Sequence, residues 1–125
     1  MKEDDLSAQT EWFHQFAKQS IDEIAQQASS ENRDRFLRYA ISSLPNHKPP
    51  EGLPPKEFAK VVIDLRENER GWNQALMSAL IKAEDLFKSQ DRQGAVSLLK
   101  EFSDSCPWKL FQEVAQGQAF HYKPR

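Results

Sequence analysis

The sequence predicts an all-α fold, five or six helices packed as antiparallel hairpins, with a proline-rich loop at 45–55 and essentially no sheet. Three observations carry that expectation. Apolar residues recur at steps of three and four along most of the chain, the period of a helix face buried against a neighbour. Five of the seven prolines fall between Pro45 and Pro55, where neither helix nor strand can continue. Alternating apolar and polar residues are absent where β-branched residues occur, and Val61-Val62-Ile63 lies inside a helical stripe.

The elements follow in order. Phe13, Phe16, Ala17, Ile21, Ile24, Ala25 and Ala28 share one face of a helix expected from about Ser7 to Ala28. Ser29 or Ser30 can cap a second helix, with Glu31 at its positive end and Leu37, Ala40, Ile41 and Leu44 inward. After the loop, Pro54 or Pro55 suits a first helical position, where the missing N–H would have had no intrahelical partner. Phe58, Val61, Val62 and Leu65 form the next stripe. Trp72, Ala75, Leu76, Ala79, Leu80, Ala83 and Phe87 form the most regular one. Gly71 stands between these two stripes beside a polar Glu67-Asn68-Glu69-Arg70 run, and a break into two helices is expected there. Asp91 can cap a helix carrying Ala95, Leu98, Leu99 and Phe102 and ending near Asp104. Ser105 or Cys106 can cap a last helix with Pro107 at its first position, Leu110, Phe111, Val114 and Ala115 inward, and Gly117 as its stop.

At 125 residues the chain has the length of a single helical domain, 1–125, with 1–6 and 118–125 as flexible ends. Its 17 Lys and Arg against 19 Asp and Glu leave a net charge of -2, which gives no electrostatic footprint for DNA or RNA. A single cysteine, Cys106, excludes an internal disulfide and fits a reducing cytoplasm. The N-terminus is acidic where a targeting peptide would be basic, and no apolar run is long enough to span a bilayer, so neither export nor a membrane partner is expected.

The segment from Leu76 to Ala115 resembles a tetratricopeptide-type helical hairpin. Ala83 and Leu86 fit the first helix of that pattern, Asp91 its turn, Ala95 and Leu99 the second helix, and Pro107 the terminating proline. The pattern departs at Lys82, where leucine is usual, and at Phe102, where a small residue is usual; the chain holds one copy. The resemblance implies helical-hairpin packing and, as a corollary, protein binding.

Reactive constellations are sparse. Gly52, Gly71, Gly94 and Gly117 are each isolated, so no phosphate-cradling loop is encoded. Glu11 and His14 have the E-x-x-H spacing of di-iron carboxylate bundles but lack the second such pair, and the three histidines are scattered, so neither a metal nor another cofactor is expected. Cys106 sits near an expected helix start beside Lys109, where a thiolate would be favoured, but no histidine base is placed by a motif. Trp72, Trp108, Phe120 and Tyr122 are of the residue types that dominate binding hot spots, although tryptophans also plug helix pairs. Residues 1–44 hold five basic and eight acidic side chains. The expected function is therefore a non-enzymatic protein-interaction module, an inhibitor or immunity-type protein or an adaptor. The rivals are a thiol-dependent enzyme using Cys106 and a helical domain holding a small apolar ligand in a cavity lined by Phe and Leu.

Overall fold

The computed structural model describes residues 6–123. Among them are six α-helices, α1 (Leu6–Ala17), α2 (Ile21–Gln26), α3 (Ser30–Ser43), α4 (Pro55–Lys88), α5 (Arg92–Ser105) and α6 (Lys109–Tyr122), and no strand. The fold is all-α, as expected. Residues 1–5 and 124–125 of the expected flexible ends lie outside the described residues. The chain divides into two compact units, 1–68 and 69–125, so Pro55–Asn68 of α4 belongs to the first and Glu69–Lys88 to the second.

In the first unit, the single helix expected from Ser7 to Ala28 is two. Ser20 takes an extended conformation, φ -72° and ψ 164°, and its hydroxyl accepts from the Glu23 backbone N–H at 3.2 Å. The Glu23 carboxylate accepts in return from the Ser20 N–H at 3.0 Å. This reciprocal cap satisfies two N–H groups at once, and it requires a backbone at Ser20 that no continuous helix contains. That Ser20 N–H first, and the nearby Ser20 hydroxyl second, hold the Glu23 carboxyl below the usual glutamate range. Ser29 caps α3 as expected, its hydroxyl accepting from the Asn32 N–H at 3.1 Å.

Helix α3 buries Ala40 and Leu44 as expected, but its inward face is rotated away from Leu37 and Ile41. Phe36, Tyr39, Ala40, Ser43 and Leu44 are buried, while Leu37 is half-buried and Ile41 is 47% exposed. The cause is aromatic. Phe13 of α1 stacks on Tyr39 with centroids 4.4 Å apart and lies 5.9 Å from Phe36, and Phe58 of α4 meets Phe36 edge-on at 5.6 Å and Phe16 at 6.3 Å. Rings bury more area than Leu37 and Ile41 could, and their quadrupoles favour these offset and edge-on geometries. The proline loop is tied to this cluster by Arg33: its Nη1 donates to the Leu53 carbonyl at 2.7 Å, its Nε to the Ala28 carbonyl at 3.0 Å, and its guanidinium carbon lies 4.9 Å over the Phe58 ring. Gly52 turns the loop at φ +72°, a conformation that a side chain would strain.

In the second unit, Gly71 does not break α4. A glycine inside a helix costs about 1 kcal/mol, whereas a break would open the N–H and C=O groups of two new helix ends. Leu65 and Trp72 are seven residues apart, two helical turns, a spacing that an unbroken helix accommodates. Leu76, Ala79 and Ala83 are buried along it. Helix α4 ends where Gln90 takes φ 71° and the Asp91 N–H returns to the Leu86 carbonyl at 2.8 Å. Asp91 then caps α5, its carboxylate accepting from the Gly94 N–H at 2.8 Å.

Helix α6 corrects two expectations. Cys106 closes α5, Pro107 lies between the helices, and Trp108 precedes Lys109 with no side-chain cap. The α5–α6 turn is instead held by two glutamines of α6 that donate back to the end of α5: Gln112 Nε2 to the Cys106 carbonyl at 2.6 Å, and Gln116 Nε2 to the buried Ser103 hydroxyl at 2.8 Å. The helix also runs through Gly117 to Tyr122, so residues 118–122 of the expected flexible end are helical. Ala119 and Tyr122 are buried beyond the glycine, and burying one such ring is worth about 2 kcal/mol, more than the glycine costs.

A Cβ built on Gly71 or Gly117 meets nothing within 4 Å, and neither has a positive φ. Gly71→Ala and Gly117→Ala should each raise stability by about 0.5–1 kcal/mol in urea unfolding, whereas Gly52→Ala should lower it.

Candidate interaction surface

Of the four aromatic residues expected at a binding surface, the structure leaves one open. Phe120 is 75% exposed on α6. Trp108 and Tyr122 are each 2% exposed, so both are core residues and neither is presented to a partner in the folded unit. The Trp108 ring lies 6.1 Å from Phe111. The Tyr122 ring sits 4.9 Å from Phe87, and its hydroxyl donates to Glu84 of α4 at 2.5 Å. Trp72 is half-buried and meets Phe102 of α5 edge-on at 5.9 Å. Tyr122 thus fastens α6 to α4, and Trp72 joins α4 to α5.

The open apolar surface of the second unit comes mainly from residues outside the expected set. Met77 is 52% and Ile81 62% exposed, one turn apart on α4; Leu110 is 49% and Val114 41% exposed, one turn apart on α6. Leu110 and Val114 were expected inward with Phe111 and Ala115. The helix buries Phe111, Ala115, Ala119 and Tyr122 instead, which turns the preceding positions outward. Met77 and Ile81 carry a readable signal: each follows a stripe residue, Leu76 or Leu80, by one position, about 100° round the helix, where a polar side chain would be the ordinary choice.

Cys106 is 2% exposed, and burial pushes its thiol above the usual cysteine range, although Sγ donates to the Trp108 carbonyl at 3.9 Å. This reverses the lowered value that an exposed helix start would have given. Glu11 is exposed and His14 half-buried beside Phe13, and no group of three or more metal-capable side chains gathers among the described residues. No helix among them is long and apolar enough to cross a membrane. In the first unit, Phe36, Leu37 and Phe58 floor a half-open crevice of about 250 Å3 under Pro49 and Leu53. Ligand pockets usually begin near 300 Å3, so this space is small for one.

Two outcomes test these placements. Cys106 should react with a thiol reagent at neutral pH more slowly than a free cysteine, and at the ordinary rate once urea unfolds the chain. Burial first, and the bond to Glu84 second, raise the Tyr122 hydroxyl above the usual tyrosine range. The neutral phenol is therefore favoured in the folded state, and its contribution is complete below the unfolded value of about 10 and is lost as pH climbs through the folded one. Thermal unfolding followed across that alkaline window should show a decline in the native chain that Tyr122→Phe flattens.

No family model, curated protein or solved structure matches this chain.

Proposed function

We propose that the chain is a non-catalytic protein-interaction module whose second unit docks a partner through side chains of α4 and α6. One observation carries this reading: five large apolar residues, Met77, Ile81, Leu110, Val114 and Phe120, stand more than two-fifths open to solvent on two helices of one unit. Single exposed apolar residues are common on soluble domains, but two pairs at one-turn spacing and a phenylalanine at 75% exposure are the side-chain types that fill a partner's pockets. The resemblance of residues 76–115 to a tetratricopeptide-type hairpin agrees with such a role. The narrower form of the proposal is an inhibitor, immunity-type protein or adaptor.

The rival readings have less behind them. A thiol enzyme would act through Cys106, whose sulfur is buried and whose thiolate is disfavoured. A small apolar ligand would have to fit the crevice beside Phe58.

A photo-crosslinking residue placed at Phe120 or Met77 in the native host should trap one discrete protein, and the same residue at Ile41 of the first unit should not. Against that protein once purified, Met77→Ser combined with Phe120→Ser should weaken binding by about tenfold or more while leaving the helical spectrum unchanged. Equal trapping at all three positions would remove the proposal.

A further inference from the structure

Three basic side chains, from the ends of two helices and the residue after a third, converge on one depression of the second unit, and most of that charge is unspent. Lys88 is the last residue of α4, Arg92 the first of α5, and Lys123 follows α6; together with Asp91 they line an open depression of about 770 Å3. The turn that closes α4 makes this possible. Gln90 at φ 71° lets the chain reverse in three residues, bringing Lys88 and Arg92 to the same rim.

The geometry leaves these cations available. Among the described residues, no ion pair engages Arg92 or Lys123. Lys88 shares Glu84 at 3.8 Å with both side chains substantially exposed, a weak pairing in water. Asp91, the one carboxylate of the lining, lies against Gly94 and accepts its N–H. Arg92 lies with its guanidinium carbon 5.1 Å over the Phe87 ring. A guanidinium held over a ring keeps its N–H fork free at the edge, the arrangement that meets an oxyanion in two parallel hydrogen bonds. Three positive charges against one thus concentrate on a chain whose net charge is -2.

We infer that this depression binds the phosphoryl group of a small phosphorylated organic molecule. A dianion matches the two surplus charges, Arg92 supplies the directional fork, and Lys88 and Lys123 supply point charges. The space lies within the range of small-molecule sites and exceeds what a bare phosphate fills. Phe87 and Val96 form an apolar wall beside the cations, which gives the organic part of the ligand a surface to cover.

The test titrates the full chain with phenyl phosphate, inorganic phosphate and a tetraglutamate peptide, each against sodium chloride at matched ionic strength, with amide shifts as the readout. Saturable shifts at Arg92, Gln93 and Lys123, tighter for phenyl phosphate than for inorganic phosphate, are expected. Arg92→Gln and Lys123→Gln should each weaken binding by about tenfold, and Lys100→Gln, an exposed cation elsewhere on α5, should not. Circular dichroism of each variant reports that it is folded. Shifts no larger than those of chloride, or equal losses in Lys100→Gln and Arg92→Gln, would overturn the site. Equal affinity for the two phosphates would overturn the organic part of the ligand, and tighter binding of tetraglutamate would overturn the phosphoryl assignment.

Discussion

Three of the helix starts in this chain are placed by side chains that take up the N–H groups a helix start leaves open. Ser20, Ser29 and Asp91 each accept such a hydrogen from three residues ahead, at 3.2, 3.1 and 2.8 Å. Each bond makes a chain reversal affordable at that residue, because the unsatisfied donors would otherwise oppose it. Gly71 and Gly117 are the weakest helix formers in their segments apart from proline, yet both lie inside unbroken helices. A helix end thus needs a partner for its backbone, and a poor helix former alone does not supply one.

Within each unit, aromatic side chains then decide which face of a helix is buried. In the first, Phe13, Phe36, Tyr39 and Phe58 set the rotation of α3. In the second, Tyr122 reaches both Phe87 and Glu84 and so fixes the far end of α6 to α4. The outward positions follow from these choices. Leu110 and Val114 are exposed because the helix is rotated to bury Phe111, Ala115 and Tyr122, and the open apolar surface is a by-product of the core.

Much of this architecture was legible in the residues. Periodicity gave the helical class, the proline cluster gave the loop, and Ser29, Asp91 and Pro55 marked helix starts where they stand. The break at Ser20 was also legible, since Ser20-Ile21-Asp22-Glu23 has the spacing of a reciprocal cap, but an apolar stripe running past it masked the signal. What periodicity could not supply was the rotation of each helix within its stripe. Leu37 and Phe36, or Leu110 and Phe111, are adjacent in sequence and both apolar, and only the folded core chooses between them, for Phe36 through its ring contact with Phe58. The basic depression was unreadable for a related reason: Lys88 and Arg92 flank one turn but Lys123 lies far along the chain after α6, and only the fold gathers the three.

Arg33 bears on the proline loop in a way that its charge alone does not suggest. One guanidinium binds the carbonyl at the end of α2's exit, the carbonyl at the loop's far end, and the face of Phe58. A lysine there would keep the charge and lose the planar fork, holding one carbonyl at a time and leaving the other to water. The connector's path is therefore written into the shape of a single flat cation, and drift in the composition of the loop matters less than retention of that shape.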